Sequence, residues 1–260
     1  MARDGALNPA MTWPALDWRR PWWAPLAQVG ASVEARVRAG ASVADALNTG
    51  GGSVRCPVRF VPQEALPDGE PYEAFIFRTG CVPTRNNLHD FFNGLMWLVR
   101  PALKRRLNEL QAAEIAQRGV GATRGPVRDA LTLFDENAAL LRAPVELVQA
   151  LRERRWRALF IDHRALWAQA RLELFGHALL EKLVTPYKSL TAHVWVVEEG
   201  AAPDLGLTPE RLAPKPFLPL PVLGVPGWWP ANEEAAFYDD AEVFRPHRRR
   251  PGHQPEIMTM

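Results

Sequence analysis

Proline placement limits what this chain can fold into more than any other feature. Of its 24 prolines, 11 fall in the last 60 residues and four in the first 25. Proline fixes φ, lacks a backbone N–H and breaks helix interiors, so neither end can be a long helix or a central strand. The first 30 residues also hold Trp13, Trp18, Trp22 and Trp23. Rings of that size gain too much from burial to stay in water, so this end is expected to wrap onto the body. The same holds for Leu218, Leu220, Val222, Leu223 and Trp228 near the other end. The expected organisation is a Trp/Pro-rich N-terminal arm over 1–30, a helical α+β core over 31–200, and a Pro-rich C-terminal arm with a basic tail over 201–260. No internal repeat interrupts it.

At 47% hydrophobic and 23% charged, the 260 residues can bury a substantial core. No run of 18 apolar residues suggests a transmembrane segment, and Asp4, Asp17, Arg19 and Arg20 interrupt any signal-peptide core. Cys56 and Cys81 lie 25 positions apart, which is neither a redox pair nor a zinc pattern. A soluble, cytoplasmic protein is expected. Arg outnumbers Lys by 27 to 4, a bias that reflects genome composition and weakens Arg as a sign of nucleic-acid binding. The charge is nonetheless uneven: residues 100–171 carry a net of +6 and residues 198–242 a net of −7. Either these segments dock on each other or the basic one faces phosphate.

Apolar periodicity gives the elements. A weak helical period runs over 31–47, and strands are expected at 54–60, 73–78, 131–134 and 192–197. Asn86 or Asn87 caps a buried helix, which Pro101 kinks or restarts, with Lys104, Arg105, Arg106 and Glu109 on its outer face. Asp135-Glu136-Asn137 reads as a hairpin turn between 131–134 and 138–141. Helical spacing returns over 144–184, with a break near Asp162. The fold class is α+β: a mainly helical single domain with a small β-sheet and wrapping arms.

Three stretches place polar residues inside apolar elements. His89 and Asn93 share a helical face beside Asp90 in the first turn, where an imidazole and a carboxylate can bind a cation or move a proton. Alternatively, Asp90 serves only the helix start and His89 satisfies buried backbone groups. Asp129, Asp135 and Glu136 offer carboxylate oxygens to a divalent metal, or serve as ordinary turn and ion-pair groups. His177 and Glu181 share a face in Phe175–Lys182, where a buried His needs a polar partner that His89 or a carboxylate supplies. Residues 119–125 hold glycines but follow a helix, so they make no dinucleotide loop. His163, His193, His247 and His253 read as structural.

A resemblance joins these stretches. Val82-Pro-Thr-Arg, His89-Asp-Phe-Phe-Asn-Gly-Leu, Trp97, Lys104, Leu107-Asn108, Asp129–Asn137, Trp156, Leu159-Phe160, Phe175–Lys182, Leu220–Trp228 and Phe237–Asp240 together resemble the bacterial domain-of-unknown-function family 3025. The resemblance covers residues 15–245. It implies one domain with the Pro-rich arm as an integral part, and it names no catalytic residue.

Two functional classes follow. One is an enzyme, a hydrolase, acting on a small molecule with a divalent metal as cofactor. Its catalytic residues are His89, Asp90, Asn93 and His177, and its metal ligands Asp129, Asp135 and Glu136. The other is a non-catalytic module whose Arg-rich helices meet an acidic partner or nucleic acid. The oligomeric state is open in both.

Overall fold

The structure, a computed structural model, describes residues 13–51, 56–119, 125–204 and 206–246. Sequence expectations for residues 1–12, 52–55, 120–124 and the tail from His247 lie outside them.

The N-terminal aromatics pack inward. Trp22 and Trp23 are buried, Trp23 stacks on Phe92 at 5.3 Å between ring centroids, and Trp13 meets Phe91 edge-on at 5.2 Å. The single period expected over 31–47 is two helices, α1 (Ala27–Arg38) and α2 (Val43–Gly50). Gly40 turns the chain between them at φ 97°, and Ser42 caps α2 by accepting from the Asp45 N–H at 3.0 Å.

Strand β1 (Arg59–Pro62) then pairs in parallel with β2 (Cys81–Thr84). The strand expected at 73–78 is instead helix α3 (Tyr72–Thr79). A six-residue apolar run does not distinguish the two periods. A strand would put Phe75 and Phe77 on one face, whereas the helix buries Phe75 and Ile76 and leaves Phe77 59% exposed. Gly80, left-handed at φ 68°, ends it.

Helix α4 (Leu88–Val99) is capped by Asn87, and α5 (Pro101–Arg118) restarts with proline at its first position. The expected strand at 131–134 is corrected as well. It belongs to α6 (Pro126–Asn137), whose Val127, Ala130, Leu131 and Phe134 bury one helical face. Asp135, Glu136 and Asn137 are therefore its last turn and not a hairpin turn. Strand β3 (Ala138–Arg142) follows directly, then α7 (Val145–Arg152). The helical reading of 144–184 fails over its middle: a π turn at Ala158–Asp162 and a 3-10 turn at Arg164–Gln169 lead into β4 (Arg171–Leu174) and α8 (His177–Lys182). Strand β5 (Thr191–Val196) matches expectation, and α9 (Pro209–Leu212) and β6 (Leu218–Pro221) complete the order.

The larger sheet runs β4-β3-β5-β6, with β3 and β5 parallel and both outer pairs antiparallel. The Pro-rich segment thus supplies an edge strand. Pro219 lies opposite His193 and Pro221 opposite Thr191. Backbone N–H groups alternate in direction along a strand, and the Val222 N–H points inward to Leu190 O at 2.9 Å. The two prolines therefore put their missing N–H on the outer side, where they close the edge to further pairing. Leu220 in β6 and Val222 and Leu223 just beyond it are fully buried, and Asn232 donates to Leu223 O and Val225 O at 2.8 and 2.7 Å.

One glycine sets where α8 begins. A Cβ on Gly176 would lie 2.4 Å from Asn137 N and 2.5 Å from Asn137 Cα. The absent side chain lets the Gly176 N–H reach Ala138 O at 2.9 Å, clamping the start of α8 to the α6–β3 junction. Because the obstacle is backbone, Gly176→Ala should destabilise the protein by about 1–3 kcal/mol or more, measured as a lower midpoint in urea unfolding.

Candidate functional site

Three element ends converge. Asn87 Oδ1 accepts from the Asp90 N–H at 2.8 Å and fixes the first turn of α4, which carries His89. Gly176 fixes the first turn of α8, which carries His177, and the last turn of α6 brings Asp135 and Glu136.

The two imidazoles meet edge to face, centroids 4.4 Å apart, with their Nε2 atoms at 3.0 Å. Two ring nitrogens at that distance must share one proton between them, one donating and one accepting. His89 Nδ1 lies 3.0 Å from Glu181 Oε2, so it donates to that carboxylate. His177 Nε2 is 3.7 Å from Glu136 Oε1, and His177 Nδ1 is 3.7 Å from Asp135 Oδ2. Each imidazole thus has a carboxylate behind its Nδ1, and both Nε2 atoms face each other beside Glu136.

Asp135 connects this group to the interior. Its Oδ1 accepts from Lys104 Nζ at 2.6 Å, and Lys104 also donates to Asn93 Oδ1 at 2.7 Å. Asn93 Nδ2 donates to the Tyr72 hydroxyl at 3.1 Å. A cavity of about 30 Å³ beside Lys104, Asn93 and Tyr72 has room for one or two waters. The sequence placed Lys104 on an outer face; it is buried, at 4% exposure. Buried Asn108 and Gln111 follow it at helical spacing, so α5 hides a polar stripe that a reading of apolar residues alone passes over.

Burial keeps His177 neutral, lowering its pKa to about 4 against the pull of Asp135. Burial also works against the Asp135 charge, but the Lys104 ammonium 2.6 Å away outweighs it and holds the carboxyl below its usual range. Glu136 is shifted upward, chiefly by burial, and burial likewise raises Tyr72. The group is not sealed. The His89, Glu136 and Glu181 side chains are 32%, 33% and 38% exposed, while that of His177 is 6% exposed.

Of the candidates from sequence, the structure brings together His89, His177, Asp135 and Glu136, with Asn93 one contact behind through Lys104. Asp90 is turned away: both its oxygens hold Arg85, through the backbone N–H at 2.6 Å and the guanidinium at 3.0 Å. Asp129 lies elsewhere, 3.3 Å from Lys215. Lys104, Tyr72 and Glu181 were not among the candidates. Only Glu181 carried a local signal, at four residues from His177 on one helical face.

A family model described as "Protein of unknown function (DUF3025)" matches residues 58–206 and 201–248. No curated protein and no solved structure matches the chain.

Acid should weaken this cluster first. Below pH 6.5 the unfolded chain takes up a proton that folded His177 resists until about pH 4, so stability falls as pH drops across that window. The loss is up to roughly 3 kcal/mol, and denaturant unfolding at pH 7, 5.5 and 4.5 measures it. His177→Gln should flatten the dependence. Lys104→Ala, which leaves part-buried Asp135 without its cation and empties the space of a buried side chain, should cost about 1–3 kcal/mol at pH 7 by the same assay.

Proposed function

The chain belongs to the family described as Protein of unknown function (DUF3025), and for this member we propose a metal-dependent hydrolase centred on His89, His177 and Glu136. The observation that carries the reading is the convergence of their ligand atoms, all within 4.8 Å of one another. Two imidazoles and one carboxylate form the His₂Glu donor set of open catalytic zinc sites. Nitrogens at 2.0–2.1 Å from a tetrahedral ion sit about 3.3 Å apart, so the 3.0 Å Nε2 pair needs only a small opening to accept one.

The surrounding groups fit that role. A metal-bound imidazole donates its other N–H to a carboxylate or carbonyl, which fixes tautomer and ring orientation. Glu181 does this for His89, and Asp135, held by Lys104, stands behind His177. An ion held between the two Nε2 atoms would displace the proton they share, and His177 would then carry its proton on Nδ1, which faces Asp135 Oδ2 at 3.7 Å. The exposed side of His89 and Glu136 leaves an open position for water and substrate. A divalent ion held by His89, His177 and Glu136 would lower the pKa of a bound water toward neutrality and so supply a hydroxide nucleophile.

The binding-module reading has less support. Most of the basic side chains it relies on already have partners within the chain. Arg164 pairs with Glu233 at 2.7 Å, Arg118 with Glu114 at 3.2 Å, and Arg106 donates to Leu207 O at 3.1 Å. Arg100 pairs with Glu173.

Calorimetric titration of metal-free protein with Zn²⁺ tests the proposal. One equivalent should bind to wild type, His89→Ala and His177→Ala should lose it, and Glu181→Gln should weaken it about 10–100-fold. Asp129→Asn should leave binding unchanged. A panel of nitrophenyl esters and phosphate esters then reports turnover by the loaded protein. Wild-type binding retained in the double His variant would remove the centre from these residues.

A further inference from the structure

At the far end of β3, about 13 Å along the strand from its start at Ala138, lies a second concave region unrelated to the proposed metal site. It opens at the carboxyl ends of the parallel strands β3 and β5 and has a volume of about 800 Å³. Two arginines stand in it. Arg142 ends β3, Arg171 begins β4, and the two face each other in register. Directly opposed residues of an antiparallel pair project on the same side, and like charges there repel. No acid bridges this pair, as Glu233 does for Arg164 and Glu173 for Arg100. Arg142 donates to Ala201 O at 2.6 Å, and among the described residues the exposed Arg171 side chain has no hydrogen bond or ion pair. Glu199 lines the same cavity without bonding to either guanidinium.

We propose that the Arg142–Arg171 pair binds the phosphate group of a small organic phosphate. Two guanidinium charges match a phosphate dianion better than a carboxylate, and each presents a planar fork suited to its oxygens. The remaining volume, bounded by Gln169, Glu199 and Gly200, is of the size that holds a small molecule. The region is concave and carries a single pair of arginines, which suits one phosphate and not the repeating backbone of a nucleic acid.

Melting temperature and calorimetry on the full-length, metal-free protein, at ionic strength held constant with chloride, test this. Inorganic phosphate should raise the melting temperature of wild type. Ribose 5-phosphate should bind more tightly than phosphate, and ribose should not bind. Arg171→Gln should weaken both phosphates about tenfold or more, with Arg171→Lys between the two, and should melt no lower than wild type without ligand because it relieves repulsion. Glu199→Gln should strengthen binding. The proposal is overturned by equal phosphate shifts in wild type and Arg171→Gln, or by shifts that chloride reproduces. It is also overturned if Arg171→Gln melts well below wild type in the absence of anion, which would make the arginine a structural group. Tighter binding of a short single-stranded oligonucleotide than of ribose 5-phosphate would replace a small-molecule site with a nucleic-acid one. None of these outcomes depends on whether Zn²⁺ binds at His89 and His177.

Discussion

A lysine ammonium with almost no access to solvent dictates the arrangement of the helices around it. Removing such a charge from water costs several kcal/mol unless it is paired and hydrogen-bonded. Lys104 meets that demand from two different helices: Asn93 on α4 and Asp135 on α6, at 2.7 and 2.6 Å. The ring of Trp97 adds a cation–π contact at 5.6 Å. The three helices are therefore fixed by charge compensation as well as by apolar packing. Because Asp135 is spent on Lys104 with one oxygen, its other oxygen is left facing His177. The interior charge thus sets the position of a carboxylate at the surface group.

The surface group depends equally on a backbone contact. Gly176 gives His177 its place because no side chain separates α8 from the α6–β3 junction. Two unrelated constraints, a buried charge and a missing Cβ, act on the same last turn of α6, through Asp135 and Asn137. Neither would be needed merely to fill a core, where Leu and Phe pack without polar partners. That concentration of costly features, together with partial exposure of His89 and Glu136, is what gives the metal-centre reading its weight.

The ends of the chain illustrate a different economy. Prolines already restrict the unfolded chain, so ordering the late segment costs less entropy than ordering an average one. The segment places Leu220, Val222 and Leu223 in the core and covers the edge of the sheet. Its acidic residues lie partly on basic ones of the body, as Glu233 does on Arg164 and Asp240 on Lys188, at 2.7 and 3.0 Å. The uneven charge along the sequence is in part cancelled within the molecule.

Local physics was legible from the sequence. Asn87 capping α4, Pro101 restarting a helix, the β5 strand, and the burial of Trp22, Trp23 and Leu220 all follow from side chains and their immediate neighbours. So did the kinds of residue in the polar group, because His89, His177, Asp135 and Glu136 each interrupt an apolar element. Short apolar runs were not legible. Residues 73–78 and 131–134 fit a strand or a helix by themselves, and the choice fell to which faces their neighbours could bury. Lys104 was read as solvated because a charged residue on a helix usually is, and only the approach of Asp135 and Asn93 makes its burial affordable. Nothing local distinguishes Asp129 from Asp135, yet one faces Lys215 and the other the imidazoles. The sequence by itself determined the residue types, the caps and the breaks, since those depend on bonded geometry and near neighbours. Only the tertiary structure decided which polar groups meet, because pairing across 88 residues, as between His89 and His177, depends on how helices pack.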